Sequence, residues 1–168
     1  MYQINDHVMY GYEGVCRVLF VGHPNVPGLN PEREYYLLES VKRNTQVYTP
    51  VDTQMTMRPV ISGDEIEASF AQLPSLSISA ELPNDTKSAA EFYRSTLQAL
   101  SFSKTLLLFK ALLERQKRQM ELRKTLSTTD MRFFKQAEDL LCSEICFVLG
   151  INNPDCVRML KEKCTEST

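Results

Sequence analysis

The stretch INDHVMYGYEGVCRVLFV, Ile4 to Val21, decides the fold. It reads as two short strands joined by a tight turn. Val8 and Tyr10, then Val15, Val18, Phe20 and Val21, are β-branched or aromatic residues that suit a pleated, half-buried surface. Gly11 and Gly14 bracket Tyr12-Glu13, where the chain reverses and a positive φ is easiest without a Cβ. Strands can be added to this hairpin up to about Ile61. From about Asp64 the chain reads as helical, so function has to be argued from a β part followed by an α part.

Downstream of the hairpin, Gly22 to Pro31 holds three prolines and two glycines in ten residues and reads as a loop. A third strand follows at Tyr35–Glu39, with Arg43-Asn44 in the next turn. Thr45–Val51 is a fourth strand and Met57–Ile61 a short fifth. Five short strands at this spacing predict a small, partly open barrel of SH3 or Tudor type. Pro50 and Pro59 lack an N–H and belong at strand ends or on an edge. A barrel this small leaves an edge that can pair with a strand of another protein.

The helical part begins at Ser62-Gly63-Asp64-Glu65, with acidic residues in a first turn and Ile66, Phe70 and Leu73 on one face before Pro74. Ser75 to Pro83 is a serine-rich linker. Asp85 caps a helix striped by Ala89, Phe92, Tyr93, Leu97 and Leu100. Ser103 starts a longer one carrying Leu106, Leu107, Phe109, Lys110 and Leu113, which Gln116 to Lys124 continues as a basic extension. Ser127 to Asp130 resembles a capping box with Asp in place of Glu, ahead of Phe134, Ala137, Leu141, Ile145 and Val148. Gly150 stops that helix and Asn153-Pro154 opens the last, Asp155 to Cys164. These stripes need one another, which predicts a compact α-bundle.

Composition is that of an ordinary globular protein, with 43% hydrophobic and 24% charged residues and a net charge of −2. The average hides an asymmetry. Residues 1–65 hold five basic and eight acidic residues, whereas residues 101–134 hold eight basic residues against Glu114, Glu121 and Asp130. An acidic-leaning β part beside a basic helical stretch suggests two partners, although a solvated helix face would look the same. MYQINDHV has neither the basic nor the apolar region of a signal peptide, and the run around Leu106–Leu113 is too short for a membrane span. Five irregularly spaced cysteines without a C-x-x-C pair indicate neither a zinc site nor a disulfide framework, so a reduced, cytoplasmic protein is expected.

No phosphate-binding glycine loop, H-E-x-x-H or G-x-S-x-G occurs, and no cofactor or small-molecule substrate is expected. His7 or His23 beside Cys16 would make a nucleophile pair only if the fold joined them, and nothing in the pattern does. Asp64, Glu65 and Glu67 are explained by a helix N-terminus. The chain reads as a non-enzyme. Its basic surface is broad, which suits phosphate contacts that do not read sequence. Leu141 to Leu160, with Cys146, Gly150 and Val157, echoes a helix-turn-helix. Its second helix mixes Asp155, Arg158, Lys161, Glu162 and Lys163, so two core helices are the better reading.

Residues Ile4 to Val15 resemble the start of the CarD/CdnL family of bacterial transcription regulators. Members carry an apolar-Gly-Asp-x-Val-Val-Tyr-Pro-x-His-Gly-Val stretch there. In this chain Asn5 stands for the Gly, Gly11 for the Pro and Glu13 for the His. The likeness continues through Tyr35–Leu38, Val47–Asp52 and Met57–Ser62, then Leu126-Ser127, Ala137, Leu140-Leu141 and Glu144-Ile145. It implies a Tudor-like domain that adds its sheet edge to a strand of the RNA polymerase β subunit. It also implies a helical domain lying on promoter DNA and stabilising the open complex. By that alignment Pro24, Arg43, Val47, Tyr48 and Pro50 lie at or near the polymerase-facing edge, and Arg94 lies near DNA. One feature departs from the family: members wedge a Trp into the minor groove, whereas this chain has no Trp and aligns Ala89 there. Ala cannot fill that space.

The expected architecture is α+β: a five-stranded Tudor/SH3-like β barrel at 1–62, a short helix and linker at 63–83, and a helical bundle at 84–168. Lys104, Lys110, Lys117, Arg118, Arg123 and Lys124 join Arg94 as DNA-contacting candidates. Two functions remain open. One is a polymerase-anchored regulator with largely non-sequence-specific DNA contact. The other is a protein-interaction module that uses the strand edge alone.

Overall fold

The computed structural model describes residues 1–76 and 82–166. Most of the expected serine-rich linker, residues 77–81, lies outside them. The described chain is α+β, a five-stranded antiparallel sheet followed by five α-helices. It divides into two compact units, Met1–Val60 and Ile61–Thr168.

In the first unit β1 (His7–Tyr10) and β2 (Gly14–Gly22) form the hairpin, joined by one 3-10 turn at Gly11–Glu13. Gly11 and Gly14 adopt φ values of 46° and 77°, which a residue with a Cβ resists. The hairpin register places Val8 opposite Cys16 and Tyr10 opposite Gly14. Next come β3 (Tyr35–Ser40), β4 (Gln46–Pro50) and β5 (Met57–Pro59). The strand order is β4-β3-β2-β1-β5, with a register shift between Val18 and Phe20 where β2 meets β3. One face carries the core of Val8, Tyr10, Cys16, Val18, Tyr36 and Leu38. Alternation along the strands delivers these side chains to a single face. The Tyr10 hydroxyl donates to Thr49 Oγ1 at 3.0 Å, so the polar tip it brings into that core is satisfied.

The sheet is open, where the sequence predicts a partly open barrel. β4 pairs with β3 and β5 with β1, and the two outer strands do not join. The physical reason lies in the outer strands themselves. β5 has three residues and ends at Pro59, and β4 ends at Pro50, so neither offers the run of N–H donors that closure requires.

The second unit starts with α1 (Gly63–Gln72), opened by a complete capping box. The Ser62 N–H donates to Glu65 Oε2 at 2.8 Å, and the Glu65 N–H donates to Ser62 Oγ at 3.2 Å. α2 (Thr86–Gln98) is capped by Asp85 as its sequence predicts. α3 (Phe102–Glu121) is capped by Ser101 rather than Ser103: the Ser101 hydroxyl accepts from the Lys104 N–H at 3.4 Å. α4 (Thr128–Leu149) ends at Gly150, whose φ is 67°, and α5 (Asn153–Glu166) follows after a short turn. α4 and α5 meet at 109°, inside the range of a helix-turn-helix. The buried face of α5 is Cys156, Leu160 and Cys164, while Asp155, Arg158, Lys161, Glu162 and Lys163 are exposed. Ring pairs fill the centre of the bundle, with Tyr93 on Phe133 at 5.4 Å and Phe109 stacked on Phe134 at 4.9 Å. Among the described residues no single helix is long and apolar enough to cross a membrane.

Candidate functional site

The first surface is the edge of β4. The Ser40 N–H donates to the Thr45 carbonyl at 2.8 Å and the Val51 N–H to the Glu34 carbonyl at 3.0 Å. Backbone groups of antiparallel strands alternate direction, so odd-numbered residues here turn towards β3 and even-numbered ones away. The outward groups are therefore the N–H of Gln46 and Tyr48 and the carbonyls of Gln46, Tyr48 and Pro50. Val47 packs on the sheet core, and Tyr48 and Pro50 are half-buried. Arg43 is exposed in the β3–β4 turn, with its guanidinium 3.8 Å from the Glu13 carboxylate. Pro24 is buried in the loop after β2. Arg43, Val47, Tyr48 and Pro50 therefore share one edge and its turn.

The second surface consists of the cations of the helical unit, and it is smaller than the sequence suggests. Arg94, Lys104, Arg118, Arg123 and Lys124 are exposed. Lys117 is exposed too, and its ammonium donates to the Thr165 hydroxyl at 2.8 Å. Lys110, a candidate phosphate contact, is 5% exposed, and its Nζ donates to the Leu73 carbonyl at 3.1 Å. It holds a carbonyl at the end of the α1 region, where a cation offsets the negative end of a helix. A group so placed does not reach a phosphate, and Lys110 leaves the set of DNA-contacting candidates.

Arg115 also turns inward, and its role is absent from the pattern of charges. Its Nη1 lies 3.2 Å from Asp130 Oδ2 and donates to the Tyr93 hydroxyl at 3.2 Å; its Nη2 donates to the Leu82 and Pro83 carbonyls, each at 3.3 Å. The Tyr93 hydroxyl donates to Asp130 Oδ1 at 2.7 Å. Burial, then the Asp130 carboxylate, pushes that hydroxyl's pKa up. Asp130 thus binds Tyr93 and Arg115 instead of closing a capping box, so only the Ser127 half of that box forms. Helical phase is the signal in the sequence for Arg115, because it follows Leu108 and Leu112 at spacings that put all three on one face.

Beside this cluster lies a cavity of about 340 Å³ lined by Pro83, Ala89, Arg115, Gln119, Thr125 and Asp130 among others. Ala89 is buried in its wall. None of the five cysteines is in a disulfide. Burial pushes Cys16 and Cys164 up to about 12, and hydrogen bonding to Cys142, then burial, raises Cys156 too. Thiols held protonated in this way are inert rather than nucleophilic. Among the described residues no group of three His, Cys, Asp or Glu is placed to hold a metal ion.

Among the described residues β4 is an outer strand of the open sheet and pairs with β3 on one side. Residues 2–61 match the family model of the CarD-like/TRCF RID domain. The match places this β unit in that domain family, a family of RNA polymerase-interacting regulators whose domain is a non-catalytic interaction module. No match was found among curated proteins.

Proposed function

We propose that this chain is a transcription regulator that pairs the β4 edge with a strand of the RNA polymerase β subunit and lays its helical unit on promoter DNA. The DNA contacts come from Arg94, Lys104, Lys117, Arg118, Arg123 and Lys124, hold phosphates without reading bases, and stabilise the open complex. It acts in the cytoplasm by binding and catalyses no reaction. The observation that carries this reading is the open β4 edge inside a matched CarD-like/TRCF RID domain.

Capture of the purified β subunit by the full chain tests the edge. Tyr48→Pro removes the central outward N–H and leaves the bonds to β3, which use the odd-numbered residues. Tyr48→Ala removes the side chain but keeps the donor. Capture by wild type and Tyr48→Ala, lost in Tyr48→Pro, is the expected result. Equal capture by all three would overturn the edge-pairing mode, and capture by none would overturn the β-subunit assignment. The competing reading, an interaction module without DNA contact, gains from the inward turn of Lys110 and Arg115. Salt-independent DNA retention, or none, by the full chain would favour it.

A further inference from the structure

The corner between α4 and α5 gathers three of the five cysteines. Cys142 and Cys146 stand one turn apart on α4, and Cys156 stands in the first turn of α5. Residues 150–152 reverse the chain between the two helices, which meet at 109°. This brings the thiols together: that of Cys156 hydrogen-bonds to both Cys142 and Cys146. Cys142 is 1% and Cys156 0% exposed, whereas Cys146 is half-buried, so Cys146 is the member of the three that meets solvent. The remaining cysteines sit apart from this cluster. Cys16 belongs to the core of the β unit, and Cys164 has Lys110, Glu114 and Lys117 of α3 as its charged neighbours.

We propose that Cys146 and Cys156 form a peroxide-sensitive thiol pair that closes into a disulfide between α4 and α5. Hydrogen peroxide is the oxidant. One of its oxygens bonds to the Cys146 sulfur as the O–O bond breaks, giving a sulfenic acid and water, and the sulfur loses two electrons to the peroxide. The Cys156 sulfur then bonds to the Cys146 sulfur as the S–O bond breaks. The Cys156 thiol proton leaves with the departing oxygen as a second water. Exposure makes Cys146 the site of first attack, and a hydrogen bond from the protonated Cys156 thiol favours its reactive thiolate form. Contact between the two makes the second step intramolecular, so bridging outruns further oxidation. Cys142 is no rival partner for Cys146, because one helical turn holds their Cβ atoms roughly 5–6 Å apart, too far for a disulfide. Bonds of this kind are transient in a reducing compartment, where small thiols reopen them. All three thiols lie in the helical unit, so closure ties α5 to α4 and leaves the β unit chemically untouched.

The full folded chain is treated with hydrogen peroxide, then unfolded in N-ethylmaleimide to block the remaining thiols. Cleavage after Glu144 and before Asp155 separates Cys142, Cys146 and Cys156 for mass spectrometry. Expected is one linked pair of peptides, holding Cys146 and Cys156, which dithiothreitol releases. Cys142→Ala should bridge as wild type does. Cys156→Ala should stop at a sulfenic acid on Cys146, trapped by dimedone. Cys146→Ala, which truncates a half-buried side chain, should slow thiol loss from the folded chain about tenfold. The wild-type map and Cys146→Ala decide the matter even if truncation of the fully buried Cys156 impairs folding. A wild-type bridge between Cys142 and Cys156 overturns the proposal. So does sulfinic acid on Cys146 without any bridge, and so does equal thiol loss in wild type and Cys146→Ala.

Discussion

Arg115 is the residue on which three helices and the chain before them converge. Its guanidinium joins Tyr93 of α2, Asp130 of α4 and the carbonyls of Leu82 and Pro83 to α3. Its side chain is 14% exposed and that of Asp130 is 9% exposed, so removing one partner strands a largely desolvated charge. Arg115→Met should lower unfolding stability by about 3 kcal/mol. Tyr93→Phe, which keeps the ring packing and deletes the bond to Asp130 and the one from Arg115, should cost less, about 1–2 kcal/mol. Urea titration of the full chain measures both, and equal losses would contradict this division of roles. Cys16 gives a pH dependence. Its thiol pKa is raised from 9.0 to about 12 by burial, and the folded state therefore holds the proton more tightly than the unfolded chain. Its stabilising contribution is complete below pH 9 and is lost as the pH rises towards 12, so Cys16→Ala should flatten the fall in stability over that window.

At the scale of elements, the ends carry as much information as the stripes. Ser62→Ala removes the side-chain half of the α1 capping box and should cost about 1 kcal/mol in thermal or urea unfolding. Arg123→Gly goes the other way. Relief of the left-handed backbone at the end of α3 should raise stability by roughly 1 kcal/mol, with DNA affinity reduced by the missing cation. Among the described residues the five strands and five α-helices are legible in the sequence because alternation, 3.6-residue phase and punctuation mark them. How far the sheet opens is less legible, because strand propensity does not say which outer strands pair. The start of α3 falls ahead of the Ser103 that the sequence suggests, because Ser101 and Ser103 are equally good caps in isolation. Lys110 and Arg115 read as surface charge when charge is weighed ahead of helical phase, which puts both on the apolar side. The edge residues of β4 enter through family resemblance, since no local pattern distinguishes an outer strand from an inner one.

At the scale of the whole molecule, the charge available to nucleic acid is that of the exposed cations alone. Replacing Arg118, Arg123 and Lys124 by Gln should lower duplex affinity and reduce the slope of log affinity against log salt by about 0.9 for each phosphate no longer neutralised. Replacing Lys110 should leave that slope unchanged while lowering stability. Fluorescence anisotropy over a salt series reads the slope, and an unaltered slope in the triple variant would remove the α3 end from the DNA contacts. The β sheet, finally, has consequences for assembly in the crowded cell. Its β4 edge offers two outward N–H donors before Pro50 ends the strand, and the opposite edge is three residues long and ends at Pro59. A guest strand that adds to one side therefore meets no matching template on the other. The short, proline-ended β5 edge is thus the poorer template of the two, which disfavours edge-to-edge stacking of copies of the chain.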